Sequence, residues 1–298
     1  MMASAISDWI RSRPRVYSWR APEEIQSDCY RAVSDLDSVK AYFRGHSHAP
    51  ATGLLEGDAV DGECYVCGGQ REFRVTATPG GGDINWRETL VCQSCGLMNR
   101  WRNCIHLFEA LLRPTESDRI YITEQVTPLY EALALRYPSL TGSEYSTDLP
   151  MGEVSRLGAQ DVRIEDVTSL SFPERHFEVV LSFDVLEHVP DFPAALKEFF
   201  RVLKAGGQLL LTVPFNFGAD NRVRARLDGN GEVEHLMPPQ YHGDPLSAEG
   251  VLCFQDFGVE LVKNMHTAGF QDAFMVCSHS RRWVYPGPHI AFVGRKRA

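Results

Sequence analysis

Four of the eight cysteines in this sequence stand as two pairs of equal spacing, Cys64-Tyr-Val-Cys67-Gly68 and Cys92-Gln-Ser-Cys95-Gly96. Two thiolates three residues apart can both reach one tetrahedral ion, and two such knuckles fill its coordination shell. Four sulfur ligands leave no open position, so Cys64, Cys67, Cys92 and Cys95 are expected to hold a structural zinc ion rather than a catalytic one. Iron is the weaker alternative for the same donors. A glycine after each second Cys suits a tight turn, because it tolerates positive φ and lets backbone N–H groups approach sulfur. Between the knuckles, REFRVTAT and WRETLVC are strand-like runs around the Gly-rich turn PGGGD. Cys104 lies close enough to compete as a ligand but reads better as a core thiol. Cys29, Cys253 and Cys277 are scattered. This is a metal pattern in a reducing compartment, not a disulfide framework, and it predicts a cytoplasmic protein.

Proton-handling residues gather in the second half. His188 follows Glu187, titrates near neutrality when unperturbed, and could take a proton from an acceptor oxygen or nitrogen. A structural, hydrogen-bonding histidine is the competing reading. The run EHLMPPQYHGDP crowds His235, Tyr241, His242 and Asp244 among prolines that stiffen the backbone. His235 and His242 are further general-base candidates. Their spacing of seven could also suit a metal, but no third ligand is evident. Acids recur upstream at Glu124, at Glu144 twenty residues later, and at Asp166.

The elements that must position these residues are readable in outline. Phe177 to Phe183 is a short apolar run suited to a strand buried on both faces. From Pro193 to Lys204 apolar residues recur at helical spacing, with Gly206-Gly207 expected to end the helix. Gln208 to Val213 is a second buried strand, closed by Pro214. Strand, helix, strand with short joins is a right-handed parallel crossover, and in open parallel sheets ligands sit beyond the carboxyl ends of the strands. Ile120 to Thr123, Leu140 to Glu144 and Val162 to Ile164 read as earlier strands. Asp256 to Phe270 reads as a helix ending at Gly269, with Ala273 to Cys277 and His289 to Val293 as the last strands. Asn216 to Val251 is longer than a compact connection needs, and such insertions are usually functional or disordered. Ala21 to Phe43 is read as a packing or dimerisation helix, with a lid over the substrate pocket as the sharper alternative. Gly45 to Asp61 reads as a linker. Cys104 to Leu112 reads as an apolar helix, and Arg100 and Arg102 before it as a solvated or salt-bridged helix start, with binding of an anionic substrate group as the alternative.

The acid Asp166, the strand 177–183, LEHV at 186–189 and RVLKAGG at 201–207 together resemble the class I S-adenosylmethionine-dependent methyltransferases, in the branch that acts on small molecules. The resemblance covers about residues 118 to 295 and implies a Rossmann-like α/β fold: a seven-stranded, mostly parallel sheet with flanking helices and the cofactor at its carboxyl edge. It implies that Glu144 accepts hydrogen bonds from the cofactor's ribose hydroxyls and Asp166 from its adenine amino group, with Val167 beside the ring; Phe183 is a candidate to pack near the adenine or methionine portion, with a core side chain as the equal alternative. Here the chain departs from that family's pattern. The turn after Ile120–Thr123 reads Glu124-Gln125-Val126-Thr127, with no glycine. Either Glu124 and Gln125 hold the cofactor's amino and carboxylate groups through side chains, or the pocket no longer binds the cofactor normally. The paired cysteines resemble the zinc-ribbon modules found before many catalytic domains.

Composition sets the remaining bounds. At 298 residues, with 44% hydrophobic and 23% charged residues, the chain suits a globular protein of about two domains. No apolar run approaches the roughly 20 residues that span a bilayer, and no membrane partner is expected. The start, MMASAISDWIRSRPRVYSW, has no apolar core followed by a small-residue cleavage site, so no secretory signal is read. The net charge of −9 argues against a nucleic-acid partner, although Arg222, Arg224 and Arg226 lie close together. The domains expected are a helical segment and linker (1–60), a zinc ribbon with its connecting helix (61–113) and a methyltransferase domain (114–298). The expected function is methyl transfer from S-adenosylmethionine to a small-molecule acceptor. Two alternatives are a non-catalytic binding or scaffold protein, motivated by the missing glycine loop, and an RNA methyltransferase guided by the ribbon. The acidic balance and the lack of an Asn/Asp-Pro-Pro-aromatic motif for a flipped base count against the second.

Overall fold

A computed structural model of the chain describes residues 25–46, 53–77, 83–157, 160–244 and 247–297. Two compact units emerge. One takes the described residues through Val33, then Asp37–Thr115 and Val276–Ile290; the other takes Ser34–Leu36, Glu116–Met275 and the residues from Ala291 on.

In the first unit, β1 (Tyr30–Val33) precedes α1 (Leu36–Arg44), which buries Val39 and Phe43. The helix expected from Ala21 to Phe43 is therefore corrected: residues 21–24 lie outside the described residues, and helix begins only at Leu36. The Ser27 hydroxyl accepts the backbone N–H groups of both Cys29 and Tyr30, a side-chain competition that turns the chain into a strand where periodicity alone suggests helix. β2 (Ala59–Glu63), β3 (Gln70–Arg74) and β4 (Val91–Cys92) form an antiparallel sheet in which Phe73 faces Val60 on one side and Cys92 on the other. The linker expected to run to Asp61 thus ends by Ala59. Its residues 47–52, like most of the PGGGD turn, lie outside the described residues.

α2 (Asn99–Leu107) passes into a π-helical turn over Phe108–Leu112 and stops at Arg113, whose φ is 51°. The helix is buried almost all round, Cys104 included, as a core thiol. Arg100 pairs with Glu88 at 2.8 Å, as a helix-start arginine should. Arg102 is fully buried rather than solvated. It donates to the carbonyls of Trp283, Leu90 and Val284 at 2.8, 3.2 and 3.1 Å, with its guanidinium 4.2 Å from the Phe73 ring centre.

The second unit begins with β5 (Ile120–Ile122), α3 (Pro128–Ala134) and β6 (Leu140–Gly142). A ribbon of β7 (Val154–Leu157) and β8 (Gln160–Arg163) follows, then β9 (Phe177–Phe183), α4 (Phe192–Val202) and β10 (Leu203–Thr212). Every β9 residue except Glu178 is buried, as in a strand covered on both faces. Asp191 caps α4 by accepting the Ala194 N–H. The helix closes at Val202 without glycine. Gly206, at φ 81°, sits instead in β10, where the register against β9 slips from Leu203↔Phe177 to Gln208↔Val179. Extra residues on one strand must bulge, and the left-handed position there requires glycine.

The 216–251 insertion folds as short antiparallel pairs. β11 (Arg222–Val223) pairs with β16 (Gln255–Asp256), β12 (Ala225–Leu227) with β13 (Val233–His235), and β14 (Tyr241–Asp244) with β15 (Ser247–Leu252). α5 (Glu260–Ala268) ends on Gly269 at φ 118°, as expected from the sequence. β17 (Asp272–Ser280) then leads from this unit into the first, and β18 (Tyr285–Arg295) leads back.

The main sheet has seven strands in the order β1-β17-β18-β10-β9-β5-β6. β6, β5, β9 and β10 are mutually parallel and β18 is antiparallel to β10, a mixed sheet that fits a Rossmann-like fold. One expected member is reduced: Val162–Ile164 joins only through a single bridge, Ile164 to Glu144, because β8 spends its hydrogen bonds on β7. The seventh place is taken by β1 at the opposite edge.

Candidate functional site

The four paired cysteines converge. Cys64 and Cys67 bracket the turn after β2, Cys92 ends β4 and Cys95 follows it, and their four sulfurs lie within 4.8 Å of one another. Cys64 Sγ is 3.9 Å from Cys95 Sγ, and Cys67 Sγ is 3.8 Å from Cys92 Sγ. A zinc–sulfur bond of about 2.3 Å requires a tetrahedral edge of about 3.8 Å, so the sulfurs already stand at the separation such an ion demands. Gly68 and Gly96 adopt φ of 69° and 71°, and their N–H groups close each knuckle on the carbonyls of Cys64 and Cys92. The bonds go to carbonyl oxygen rather than to sulfur.

At the carboxyl edge of the main sheet, β5 runs into Glu124-Gln125-Val126-Thr127. Glu144, two residues past the end of β6, accepts the backbone N–H groups of Gln125 and Val126 on its Oε1, at 2.6 and 2.9 Å. The loop N–H groups that a glycine-rich turn would present are thereby gathered by the acid expected to hold ribose. The Gln125 side chain accepts from Arg163 N at 2.9 Å and donates to Asp161 O at 3.0 Å, extending the edge of β8. Glu124 is buried and bonded to the Thr127 hydroxyl, which also caps α3. Tyr130 lies so close to Gly142 that an added Cβ would meet its ring at 2.6 Å and the Glu124 carbonyl at 2.7 Å. Asp166 folds its Oδ1 onto the N–H and hydroxyl of Thr168 at 2.8 and 2.7 Å, with Val167 half-buried between them. Its neighbour Glu165 is buried and tied to Arg163 and Ser171. Phe183, the last residue of β9, is a core side chain. Asp184 after it takes φ 53°, strained for a non-glycine residue, and accepts from the Thr212 hydroxyl at 3.0 Å.

Beyond β9, a 3-10 turn over Leu186–His188 meets the β14–β15 hairpin. The structure brings together His188, His242 and a residue that sequence reasoning set aside as scattered, Cys253; one ligand atom from each lies within 4.8 Å of the others. The Glu187 carboxylate is fully buried beside them, its Oε1 3.7 Å from His188 Nε2 and 3.5 Å from His242 Nδ1. His188 Nδ1 is 2.9 Å from the Leu252 carbonyl and so donates to it. His242 Nε2 faces the Gln240 amide at 3.1 Å. The adjacent Cys253 and the Glu187 carboxylate raise His242 to about 10, against the cost of burial. Burial pushes the Cys253 thiol up, but hydrogen bonds from His188 and His242 outweigh it and the net direction is down. For His188, burial is overcome by Cys253 and Glu187, so its pKa rises. A histidine whose neighbours favour its protonated form is poorly suited to accept a proton, which weighs against His242 as a simple base. His235 is exposed on β13, paired across from Ala225.

Residues 127–211 match the family described as methyltransferase domain. Over 129 residues the chain is 30% identical to a sterol 24-C-methyltransferase of Aspergillus fumigatus, covering 41% of this chain and 30% of that protein. Over 74 residues it is 36% identical to a 2-methyl-6-phytyl-1,4-hydroquinone methyltransferase of Synechocystis, covering 22% of this chain and 23% of that one. The chain thus spans less than a third of the length of either relative. Among solved structures, an S-adenosylmethionine-dependent methyltransferase from Mesorhizobium loti aligns over 67% of this chain and 98% of its own, at 14% identity and a TM-score of 0.40. The matched segment, Thr127 to Leu211, is similar to a methyltransferase domain and holds Glu144, Asp166, Glu187 and His188.

Proposed function

We propose that the chain transfers a methyl group from S-adenosylmethionine to a small-molecule acceptor, with residues 114–298 as the catalytic domain and 61–113 as a zinc-stabilised module. The observation that carries this reading is the placement of Glu144 and Asp166 at the carboxyl edge, after β6 and after the 160–164 segment, inside the stretch that matches a methyltransferase domain. The donor set suits the cofactor: two carboxylates to accept from ribose hydroxyls and an adenine amino group, with the apolar Val167 beside them. When bound, S-adenosylmethionine supplies a methyl group on a sulfonium, an electrophile that needs no acid to activate it.

The chain's own work is then positional. Glu144 would hold the ribose while its Oε1 keeps the β5 loop in shape, and Glu187 with its histidines would face the acceptor side. Alignment of acceptor and methyl is the kind of effect worth up to about 7–11 kcal/mol in intramolecular reactions. The relatives that act on a sterol and on a hydroquinone support a small-molecule acceptor. Two of the three neighbouring arginines are ion-paired, Arg224 with Asp256 and Arg226 with Glu234, which lowers the case for a nucleic-acid face. Among the described residues no helix is long and apolar enough to cross a membrane.

One observation favours a second reading, a binding protein without turnover: the β5 loop N–H groups and the Gln125 amide are already engaged within the protein. Titration of the full chain with S-adenosylmethionine by calorimetry separates the two. Saturable binding supports the methyltransferase reading; absence of binding to properly folded, zinc-loaded protein overturns it.

A further inference from the structure

We propose that His188, His242 and Cys253 form a second metal site, holding one divalent transition-metal ion with Glu187 beside its fourth position. Their donors are two imidazole nitrogens and one thiol sulfur, a set whose softness selects zinc among common divalent ions. One ligand atom from each residue lies within 4.8 Å of the other two. Bonds of about 2.0–2.3 Å to nitrogen and sulfur need edges of about 3.3–3.8 Å, within reach of small side-chain rotations.

A second, independent observation points the same way. Glu187 is fully buried, and neither carboxylate oxygen has a hydrogen-bond partner among the described residues. A buried carboxylate left so costs several kcal/mol unless a cation, a protonated imidazole or a metal ion, compensates it. Its Oε1 is aimed between the two imidazoles, 3.7 Å from one and 3.5 Å from the other.

The surrounding backbone prepares the ligands. His188 Nδ1 donates to the Leu252 carbonyl, which leaves Nε2 with its lone pair toward the cluster, the arrangement that orients metal-bound histidines. His242 turns Nδ1 inward and Nε2 to the Gln240 side chain, whose amide, rotated end for end, accepts the Nε2 proton. The Phe254 N–H donates to the Glu187 carbonyl at 2.7 Å and the Cys253 N–H to the Gln240 carbonyl at 2.8 Å, fixing the hairpin against the 3-10 turn. Unlike the four-sulfur site, three protein ligands leave one position open at the carboxyl end of β9. An acceptor hydroxyl or thiol could occupy it as an anion after giving its proton to Glu187; that consequence alone rests on the methyl-transfer reading.

The test is a metal count on the full chain, purified in zinc and repeated with cobalt(II). Wild type is expected to hold two equivalents. His242→Ala and Cys253→Ser should each lose one, while Cys92→Ser loses the other. His242 lies on a hairpin with its side chain 30% exposed, so truncation there spares the core, and His242→Gln serves as a second, less invasive variant. Cobalt spectra should resolve a four-thiolate component absent from Cys92→Ser and a weaker, one-thiolate component absent from Cys253→Ser. Equal metal content in wild type, His242→Gln and Cys253→Ser overturns the site. Because the count does not depend on S-adenosylmethionine, its failure is distinguishable from failure of the methyl-donor titration.

Discussion

Replacing Glu144 with alanine removes the side chain that, among the described residues, accepts the N–H groups of Gln125 and Val126 in the β5 loop. Its Oε1 accepts two backbone N–H groups, from Gln125 and Val126 at 2.6 and 2.9 Å. Hydrogen bonds to a charged group contribute about 1.5–3 kcal/mol each, and the lower end applies because Glu144 is only half-buried and water can replace part of the loss. The expected cost of disordering the loop is therefore about 2–3 kcal/mol. If S-adenosylmethionine needs that loop in place, its dissociation constant should rise about 30- to 150-fold, at about 1.4 kcal/mol per tenfold. Glu144→Gln separates the roles. Its amide oxygen can still accept both N–H groups, so loop order should largely survive, while an amide is a poorer partner for two ribose hydroxyls. Calorimetric titration of the three proteins is the assay. The expected order is wild type tightest, Gln intermediate and Ala weakest. Binding by Glu144→Ala within threefold of wild type would refute both the clamp and the ribose assignment.

Two further outcomes follow from the first unit. Arg102→Met keeps the length of the side chain but strands the carbonyls of Leu90, Trp283 and Val284, and should cost about 3–5 kcal/mol in chemical denaturation; a loss under about 1 kcal/mol would contradict the structural role assigned to Arg102. His289 is buried neutral, its Nε2 3.1 Å from the Pro286 carbonyl, and burial together with the charge of Arg87 lowers its pKa to about 3. Above pH ~6.5 neither folded nor unfolded chain protonates it; below that only the unfolded chain does, so stability falls by about 1.4 kcal/mol per pH unit until the folded pKa is reached. From pH 7.5 to 5.0 this amounts to about 2 kcal/mol, and His289→Gln should lose that part of the slope in paired urea titrations. An unchanged slope would mean that another group carries the acid sensitivity.

Much of this protein is local in origin and so legible in its residues alone. The cysteine spacing announces its sulfur cluster because two thiols three residues apart must share a neighbourhood whatever the fold. Phe177 to Phe183 and α5 are set by unbroken apolar or amphipathic periodicity, and Gly269 ends its helix by backbone freedom alone. Tertiary structure decided what depends on partners distant in sequence. The Ser27 turn and pairing in the sheet made a strand of Tyr30–Val33, and pairing with β7 withdrew Val162 from the main sheet. Glu144 reads as a ligand residue by position, yet only the folded chain shows its oxygen holding the loop nineteen residues upstream. Cys253 carried no local signal at all. It stands 65 residues from His188 in sequence, and it becomes a partner of His188 and His242 only because the hairpin folds back over the end of β9. Spacing encodes contacts within a turn or two of chain; contacts across a sheet are made by burial and hydrogen bonding, which no short window of sequence contains.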